Sequence, residues 1–250
     1  MSFIDLTIVD NIATLKLNRG KVNAFNETLV EQVRECFDSL RNDDSVKAII
    51  LTGNDKFFSF GLDIPELYAY SPEDFTDFIE KFCNLYTIIY MFPKPVICAI
   101  GGHAIAGGFI LATACDYRLM VTGKAKIALN EITFGSSIFA GNLEILKALV
   151  GVRNAELIAL RGKMYSAEQA SELNLVDRVV SGDDLIAEAV YIAKSYAQKN
   201  QTAFFSIKKI IREPIYDSYK MREDTAIKEF VEIWYSDYTR AQTAEIKIHG

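Results

Sequence analysis

The sequence has few cysteines and histidines, and neither type forms a pattern typical of a metal site. Four of the 250 residues are cysteine and two are histidine. The cysteines stand far apart beside apolar neighbours, without a C-x-x-C pair, at Cys36, Cys83, Cys98 and Cys115. We therefore expect buried reduced thiols, no disulfide and no bound metal, as is usual in a reducing cytosol.

The chain also lacks a basic stripe and a long apolar run. Its formal net charge is −6, and its 27 lysines and arginines are dispersed, which argues against a nucleic-acid partner. No segment reaches the length of a membrane span, and the opening MSFIDLTIVD has neither the basic nor the apolar region of a targeting signal. The sequence predicts a cytoplasmic protein without a membrane partner.

Three common catalytic signatures are missing as well. The sequence contains no G-x-S-x-G, no H-E-x-x-H and no G-x-G-x-x-G, so serine hydrolase, zinc protease and dinucleotide-binding functions have no local support. Histidine side chains ordinarily titrate near neutrality, but the spacing of His103 to Glu131 matches no catalytic triad. We interpret His103 and Asp116 as structural residues, and we assign no role to His249.

The chain is rich in apolar residues. Half of its residues are hydrophobic, and this number is sufficient for one large core. The alternation in FIDLTIVDNIATLKLN predicts a β-hairpin. Helix-start signals occur at Asn26 and at Ser71-Pro72, and SAEQ is a capping box. Strand and helix signals alternate before about residue 140 and become mainly helical afterwards. We predict an α/β core over 1–195 and a helical region over 196–250.

Two glycine-containing loops follow predicted strands. Gly107 and Gly108 open an apolar helix in GHAIAGGFILATACDYR, and Gly61 precedes Leu62 in KFFSFGLDIPEL. Glycine lets the main chain approach a ligand, and the first amides of a helix lack internal partners. Tight strand–helix packing would explain either loop alone. Together they predict two amides that converge on one oxygen, each worth about 3 kcal/mol to a developing oxyanion.

A carboxylate with unusual neighbours completes the pattern. Glu131 lies in KIALNEITFG among isoleucine, leucine and phenylalanine residues. An apolar environment raises the pKa of a carboxyl group, and this suits an acid that accepts and returns a proton near neutral pH. A helix-start acid or an exposed loop residue is the alternative interpretation of Glu131.

Five blocks, in this order along the chain, resemble the crotonase superfamily, also called the enoyl-CoA hydratase/isomerase family. They are LNRGKVNAFNETL, FSFGLDI, AGGFILATACDYRLM, IALNEITFG and YSAEQASELNLVDRVV. The resemblance implies an α/β crotonase fold, a spiral of β-β-α units with a C-terminal helical region used in oligomerisation. It also implies an acyl-CoA substrate, no cofactor besides the coenzyme A of that substrate, and a homotrimer or homohexamer.

The resemblance also implies roles for particular residues. The oxyanion donors would be the amides of Leu62 and Gly107, with Glu131 as the base. Coenzyme A and the acyl group would be bound by a larger set comprising Val22, Ala24, Phe60, Gly61, Asp63, Ile64, Gly108, Ile110, Phe134 and Ser136. The segment FGSSIFAGN departs from the family's usual turn, so we expect Ser136, Ser137 and Phe139 to shape the acyl pocket.

A second departure concerns the reaction. Hydratases of this family carry a first glutamate three residues beyond the oxyanion-hole glycine, where this chain has Ile110. A lone glutamate resembles the 3,2-trans-enoyl-CoA isomerases, which shift a double bond without water. Hydration, decarboxylation, thioester hydrolysis or acyl-CoA binding without turnover are the alternatives.

The C-terminal region offers further candidates. We interpret its aromatic residues as core or subunit contacts rather than a stacking platform; they are Phe204, Phe205, Trp234, Tyr235 and Tyr238. Lys208 and Lys209 are expected on a solvated helix face, with contact to the phosphates of coenzyme A as the alternative.

Overall fold

The computed structural model describes residues 2–247, so His249 lies outside the described part. The chain starts with the predicted hairpin, in which β1 (Ile4–Val9) pairs antiparallel with β2 (Ile12–Leu17). Asp10 and Asn11 form the turn with φ of 51° and 65°. Two positive φ values in a two-residue loop match the right-handed twist of paired strands, which explains why this dipeptide joins them.

Two sheets organise the rest of the strands. The remaining strands are β3 (Ala48–Thr52), β4 (Phe57–Ser59), β5 (Val96–Ile100), β6 (His103–Ile105), β7 (Tyr117–Val121), β8 (Ile127–Ala128) and β9 (Arg178–Val180). The large sheet has the order β1-β2-β3-β5-β7-β9, and the small sheet has the order β4-β6-β8. Apart from the hairpin, every pair of neighbouring strands is parallel.

Helices cover these sheets. They are α1 (Glu27–Arg41), α2 (Ile64–Leu67), α3 (Pro72–Tyr90), α4 (Gly107–Ala114), α5 (Ala140–Val150), α6 (Val152–Arg161), α7 (Ala167–Glu172), α8 (Leu185–Ala197), α9 (Gln201–Trp234) and α10 (Asp237–Ala244), with a 3₁₀ helix at Glu131–Phe134. The predicted caps are confirmed, because Asn26 and Ser71 accept amide hydrogens at their helix starts and Ser166 forms the capping box of α7.

A repeated unit generates the architecture. Along the chain, β3-β4, β5-β6 and β7-β8 each place the first strand in the large sheet and the second in the small sheet, and a helix follows each pair. The α/β fold predicted from the resemblance, a spiral of β-β-α units followed by C-terminal helices, is therefore confirmed. The predicted boundary at residue 195 falls inside α8.

The small sheet positions the three residues predicted to be catalytic. Its parallel strands β4, β6 and β8 end at Ser59, Ile105 and Ala128. Leu62, Gly107 and Glu131 follow these ends by only two or three residues. Because parallel neighbouring strands bring their carboxyl ends to the same edge, the three residues are delivered to one place.

The start of α9 is fixed to the large sheet by a buried ion network. Asp116 Oδ2 accepts a hydrogen bond from the Val96 N–H at 2.7 Å and one from Lys208 Nζ at 2.8 Å, and Arg212 lies 2.9 Å from Oδ1. The structural interpretation of Asp116 is confirmed. The solvated face expected for Lys208 is wrong, because Lys208 is buried against this acid and burial lowers its pKa to about 8.

Other expectations have mixed outcomes. Lys209 is exposed and pairs with Glu213 on the same helix. All four cysteines are free, but only three are buried, since Cys36 lies half-exposed on α1. None of the helices within residues 2–247 is long and apolar enough to cross a membrane.

Candidate active site

A mostly hydrocarbon cavity of about 130 Å³ lies at the carboxyl edge of the small sheet. We call it the glutamate cavity. Leu62, Gly107 and Glu131 all line it. The structure therefore brings together the three residues that the sequence predicts to be catalytic, from loops that are far apart in the chain.

The two glycine loops touch main chain to main chain beside this cavity. A methyl group placed on Gly61, whose φ is +97°, would lie 2.9 Å from the Ile105 carbonyl oxygen and 3.0 Å from the Gly107 nitrogen. A methyl on Gly108 would lie 2.5 Å from the Ser59 carbonyl oxygen. Any side chain at these positions would force the loops apart, so the glycines permit the close approach that the sequence suggested.

The amides at this contact are not used by secondary structure. Phe25 pairs with the residues on either side of Leu62, donating to the Gly61 carbonyl and accepting from the Asp63 N–H. Within the described residues, neither the Leu62 N–H nor the Gly107 N–H has a hydrogen-bond partner. Two unpaired donors therefore lie on loops that contact each other beside the cavity.

The turn before Gly107 is strained. Ala106 has φ 50° and ψ −114°, a conformation that costs a residue with a side chain about 1–3 kcal/mol. Its methyl group faces Gly61, since a methyl on Gly61 would lie 2.9 Å from Ala106 Cβ. This strained turn leads the chain directly into α4, whose first residue, Gly107, lines the cavity.

Glu131 is buried and poorly solvated. It is 7% exposed, lines the glutamate cavity, and its Oε2 has no hydrogen-bond partner. Burial raises its pKa from 4.5 to about 8, opposed by backbone hydrogen bonds from its own N–H and that of Asn130. A carboxyl group with this pKa exchanges protons in the neutral range, which agrees with the base predicted from its apolar neighbours.

Two more polar atoms in the cavity lack partners. Ser136 Oγ and Asn130 Oδ1 are buried without hydrogen bonds, and both residues line the cavity beside Glu131. Buried unpaired polar atoms in a native fold call for a ligand or another explanation. Sequence reasoning predicted Ser136 but missed Asn130, although its place directly before Glu131 was a usable signal.

Apolar residues surround the remainder of the site. Ile110 lines the glutamate cavity and is 2% exposed, so hydrocarbon occupies the position where the family's hydratases have their first glutamate. Ile64, predicted in the loop around coenzyme A, and Phe134, predicted to bind substrate, also line the cavity. Ser137 does not line it.

An outer cavity of about 630 Å³ adjoins the site at Phe60, which lines both cavities. Its lining includes Val22 and three lysines, Lys21, Lys56 and Lys247. Val22 and Phe60 were predicted to bind coenzyme A, and the structure places them together here, where the Phe60 N–H donates to the Val22 carbonyl at 2.9 Å.

The remaining predicted contacts lie outside both linings. Asp63 caps α2 through the Glu66 N–H and is 2.6 Å from Arg19, which also donates to the Ala24 carbonyl at 2.8 Å. Ala24 and Gly108 are buried in the walls of their loops. Gly61, the fourth predicted residue outside both linings, lies against the Ala106-Gly107 turn. Direct contact of Ala24, Gly61, Asp63 and Gly108 with substrate stays a prediction.

Four rings that we call the aromatic wall line the cavity: Phe82, Phe139, Phe230 and Trp234. Phe139 was predicted to shape the pocket, and the core position expected for Trp234 is confirmed by its burial. Sequence reasoning missed the contact of Phe82, Phe230 and Trp234 with the site, and that of Ile246. Only the fold brings these distant segments together.

His103 lies on β6 away from the glutamate cavity. Its ring packs against Phe57 at 5.2 Å, and burial lowers its pKa. A structural interpretation agrees with this position. Among residues 2–247 no group of three or more histidine, cysteine or acidic side chains is arranged to hold a metal ion.

Comparison with known proteins agrees with this geometry. The family model described as Enoyl-CoA hydratase/isomerase matches residues 7–240. A mitochondrial enoyl-CoA hydratase of Pongo abelii is 30% identical over 92% of this chain and 77% of its own, and a probable enoyl-CoA hydratase of Bacillus subtilis (strain 168) is 29% identical over 95% and 92%.

Among solved structures, human mitochondrial delta3-delta2-enoyl-CoA isomerase superimposes with a TM-score of 0.92, covering 97% of this chain and 96% of that one. Identity is 23%, so this likeness supports the fold. Fold, site and relatives together define an enzyme that acts on acyl-CoA. The chain belongs to the enoyl-CoA hydratase/isomerase family.

Proposed function

We propose that this enzyme shifts the double bond of a 3-enoyl-CoA to position 2. The observation that carries the proposal is a single buried carboxyl group, Glu131, in a cavity where Ile110 stands at the position of the first glutamate of hydratases. Isomerisation needs one group that removes and returns a proton, whereas two-carboxylate hydration needs both acids to hold and activate water.

In the proposed reaction the thioester oxygen lies between the amides of Leu62 and Gly107. Glu131 takes a proton from C2, and the electron pair moves into an enolate whose oxygen the two N–H groups stabilise. The enolate then returns to the carbonyl, the electron pair shared by C1 and C2 moves to form the C2–C3 double bond, and the C3–C4 double bond breaks as its electron pair takes the proton from Glu131 at C4. The product has the mass of the substrate, and Glu131 returns to its ionised form.

The environment suits this cycle. A raised pKa makes Glu131 a stronger base once ionised, and a hydrocarbon lining keeps water from the enolate. The amides are main-chain groups held by loops in contact, so they need no reorganisation when charge develops. Coenzyme A arrives as part of the substrate, so the proposal includes no separate cofactor.

The test is conversion of 3-enoyl-CoA monitored by absorbance and mass. We expect a conjugated product of unchanged mass, and we expect Glu131→Gln to lose at least 10³-fold in kcat. Glu172→Gln, at an exposed position on α7, is the matched control and should retain full activity. Full activity of Glu131→Gln, or loss of carbon dioxide or of the thioester, would overturn the proposal.

Hydration is the second candidate, because both curated relatives above are named as hydratases. The unpartnered atoms of Ser136 and Asn130 favour it, since they offer hydrogen-bonding partners for one water beside Glu131. In that case 2-enoyl-CoA would gain the mass of water, and Ser136→Ala together with Asn130→Ala would slow this addition.

We further propose a trimer or a pair of trimers in the cytoplasm. Exposed isoleucines on α9, at Ile207, Ile210 and Ile211, offer apolar area for a subunit contact, and four free cysteines suit a reducing compartment. Sedimentation equilibrium tests the assembly, since a monomer at micromolar concentration would contradict it. Cell fractionation tests the compartment.

A further inference from the structure

The aromatic wall starts beside one of the two amides. A methyl group placed on Gly107 would lie 3.1 Å from Cζ of Phe82. From there the rings continue in contact, with centroid separations of 6.3 Å between Phe82 and Phe139 and 4.6 Å between Phe139 and Phe230. An acyl group that extends from the amides into the cavity therefore meets rings along its length.

The far part of the wall is buried. Phe230 and Trp234 are 3% and 1% exposed, so both rings belong to the packed interior at that end of the cavity. Trp234 stacks on Phe75 with centroids 4.7 Å apart, and Phe75 is itself fully buried. A longer acyl chain has no exit past these two rings without moving them into a packed core.

A buried carboxylate fixes the three helices that carry the wall. Glu223 on α9 accepts hydrogen bonds from the Tyr86 hydroxyl on α3 and, at 2.8 Å, from the Gly141 N–H at the start of α5. Phe139 lies two residues before Gly141, and Phe82 lies one turn before Tyr86. Moving these helices apart would break the hydrogen bonds of this buried carboxyl group, so Glu223 holds the three helices together.

The volume of the glutamate cavity limits the length of the acyl chain that it can hold. The glutamate cavity has about 130 Å³, slightly less than the 150 Å³ of an engineered apolar cavity that accepts benzene, a ligand of about six carbons. We propose that the aromatic wall restricts this enzyme to short acyl-CoA substrates of about four to six acyl carbons. This inference rests on the proposed function only in taking acyl thioesters as the ligands of the cavity.

Binding of saturated acyl-CoAs tests the limit without turnover, because they have no double bond to move. We expect affinity to rise roughly fourfold per methylene from butanoyl- to hexanoyl-CoA, and to fall at least tenfold at octanoyl- and decanoyl-CoA. Trp234→Ala should shift the fall in affinity to longer acyl chains. Trp234→Phe, which keeps a ring and removes an indole N–H that has no partner, should leave it at the same length.

Phe230→Leu enlarges the same end of the cavity and removes less side-chain volume from the core. It replaces Trp234→Ala in the test if that variant does not fold. Affinity that climbs steadily to decanoyl-CoA in the wild type, or identical profiles for Trp234→Ala and Trp234→Phe, would overturn the inference. A break in binding without isomerisation would refute only the proposed function. Isomerisation of all chain lengths at equal rates would refute only the length limit, and absence of any acyl-CoA binding would refute both.

Discussion

At the scale of single residues, the site depends on one carboxyl group kept out of water. Glu131 owes its raised pKa to burial, and no cation in the described cavity lining offsets this effect. The sequence revealed the apolar neighbours of Glu131 because they are adjacent in the chain. It could not reveal the unpaired Oε2, which depends on the other loops that enclose the cavity.

Glu131 should make the stability of the protein depend on pH. Its pKa is about 8 when folded against 4.5 in a solvated chain, so between these values the folded state binds more protons than the unfolded state. The free energy of unfolding should therefore fall with rising pH across this window, by up to about 1.4 kcal/mol per pH unit. Urea unfolding of wild type and Glu131→Gln at several pH values measures it; parallel curves would contradict the assignment.

The same ionisation should shape the rate. For the free enzyme, kcat/KM should rise with pH as Glu131 becomes ionised and level off above about pH 8. Initial rates with 3-enoyl-CoA between pH 6 and 9.5 check this. A profile that is flat over that range would mean that another group is the base.

Ser136 offers a test of the unpaired hydroxyl. Ser136 Oγ is buried without a partner, so Ser136→Ala should raise the free energy of unfolding of the unliganded protein by about 1 kcal/mol. Thr113→Val is the matched control of opposite sign, because the buried Thr113 hydroxyl donates to the Ile110 carbonyl at 3.0 Å. Chemical denaturation of both variants provides the comparison, and destabilisation by Ser136→Ala would show that the hydroxyl has a partner.

At the scale of elements, local signals were sufficient for the hairpin and for the capped helices. The turn at Asp10-Asn11 and the caps at Asn26, Ser71 and Ser166 involve residues within three or four positions of one another. The short strands β4, β6 and β8 are different, because only their pairing with one another in a second sheet identifies them as strands. Their two or three residues carry too little periodicity to be recognised from the chain alone.

The close approach of the loops at the ends of β4 and β6 yields a prediction. Gly108→Ala would place a methyl 2.5 Å from the Ser59 carbonyl oxygen, a contact with main chain that only a backbone shift relieves. We expect a loss of about 1–3 kcal/mol in unfolding free energy and a loss of activity as the amides separate. Gly182→Ala, where no atom lies within 4 Å of the new methyl, should change neither property.

At the scale of the whole molecule, the C-terminal helices complete the cavity of their own chain. Phe230, Trp234 and Ile246 line it from the end of the sequence. They share this lining with residues near position 107, more than a hundred positions away in the chain, so neither periodicity nor motif spacing reveals their place in the site. The sequence did not reveal the burial of Lys208 for the same reason, because its partner Asp116 is 92 positions away.

That ion network should stabilise the attachment of α9. Lys208→Ala would leave Asp116 with one buried cation instead of two, so we expect a loss of about 3 kcal/mol in unfolding free energy. Lys209→Ala, next to it but exposed in a surface pair, should change stability by less than about 0.5 kcal/mol. Thermal and urea unfolding distinguish the two, and equal effects would contradict the anchoring role.

The unpaired N–H groups of Leu62 and Gly107 have a consequence for mutagenesis and for sequence drift. In the proposed reaction Leu62 acts through its peptide N–H, which every replacement except proline keeps. An alanine scan would therefore pass over Leu62, and natural variation in its side chain would be tolerated while the mechanism stayed intact. Proline at position 62 removes the hydrogen itself, so comparing proline with alanine there separates loss of the donor from loss of the side chain.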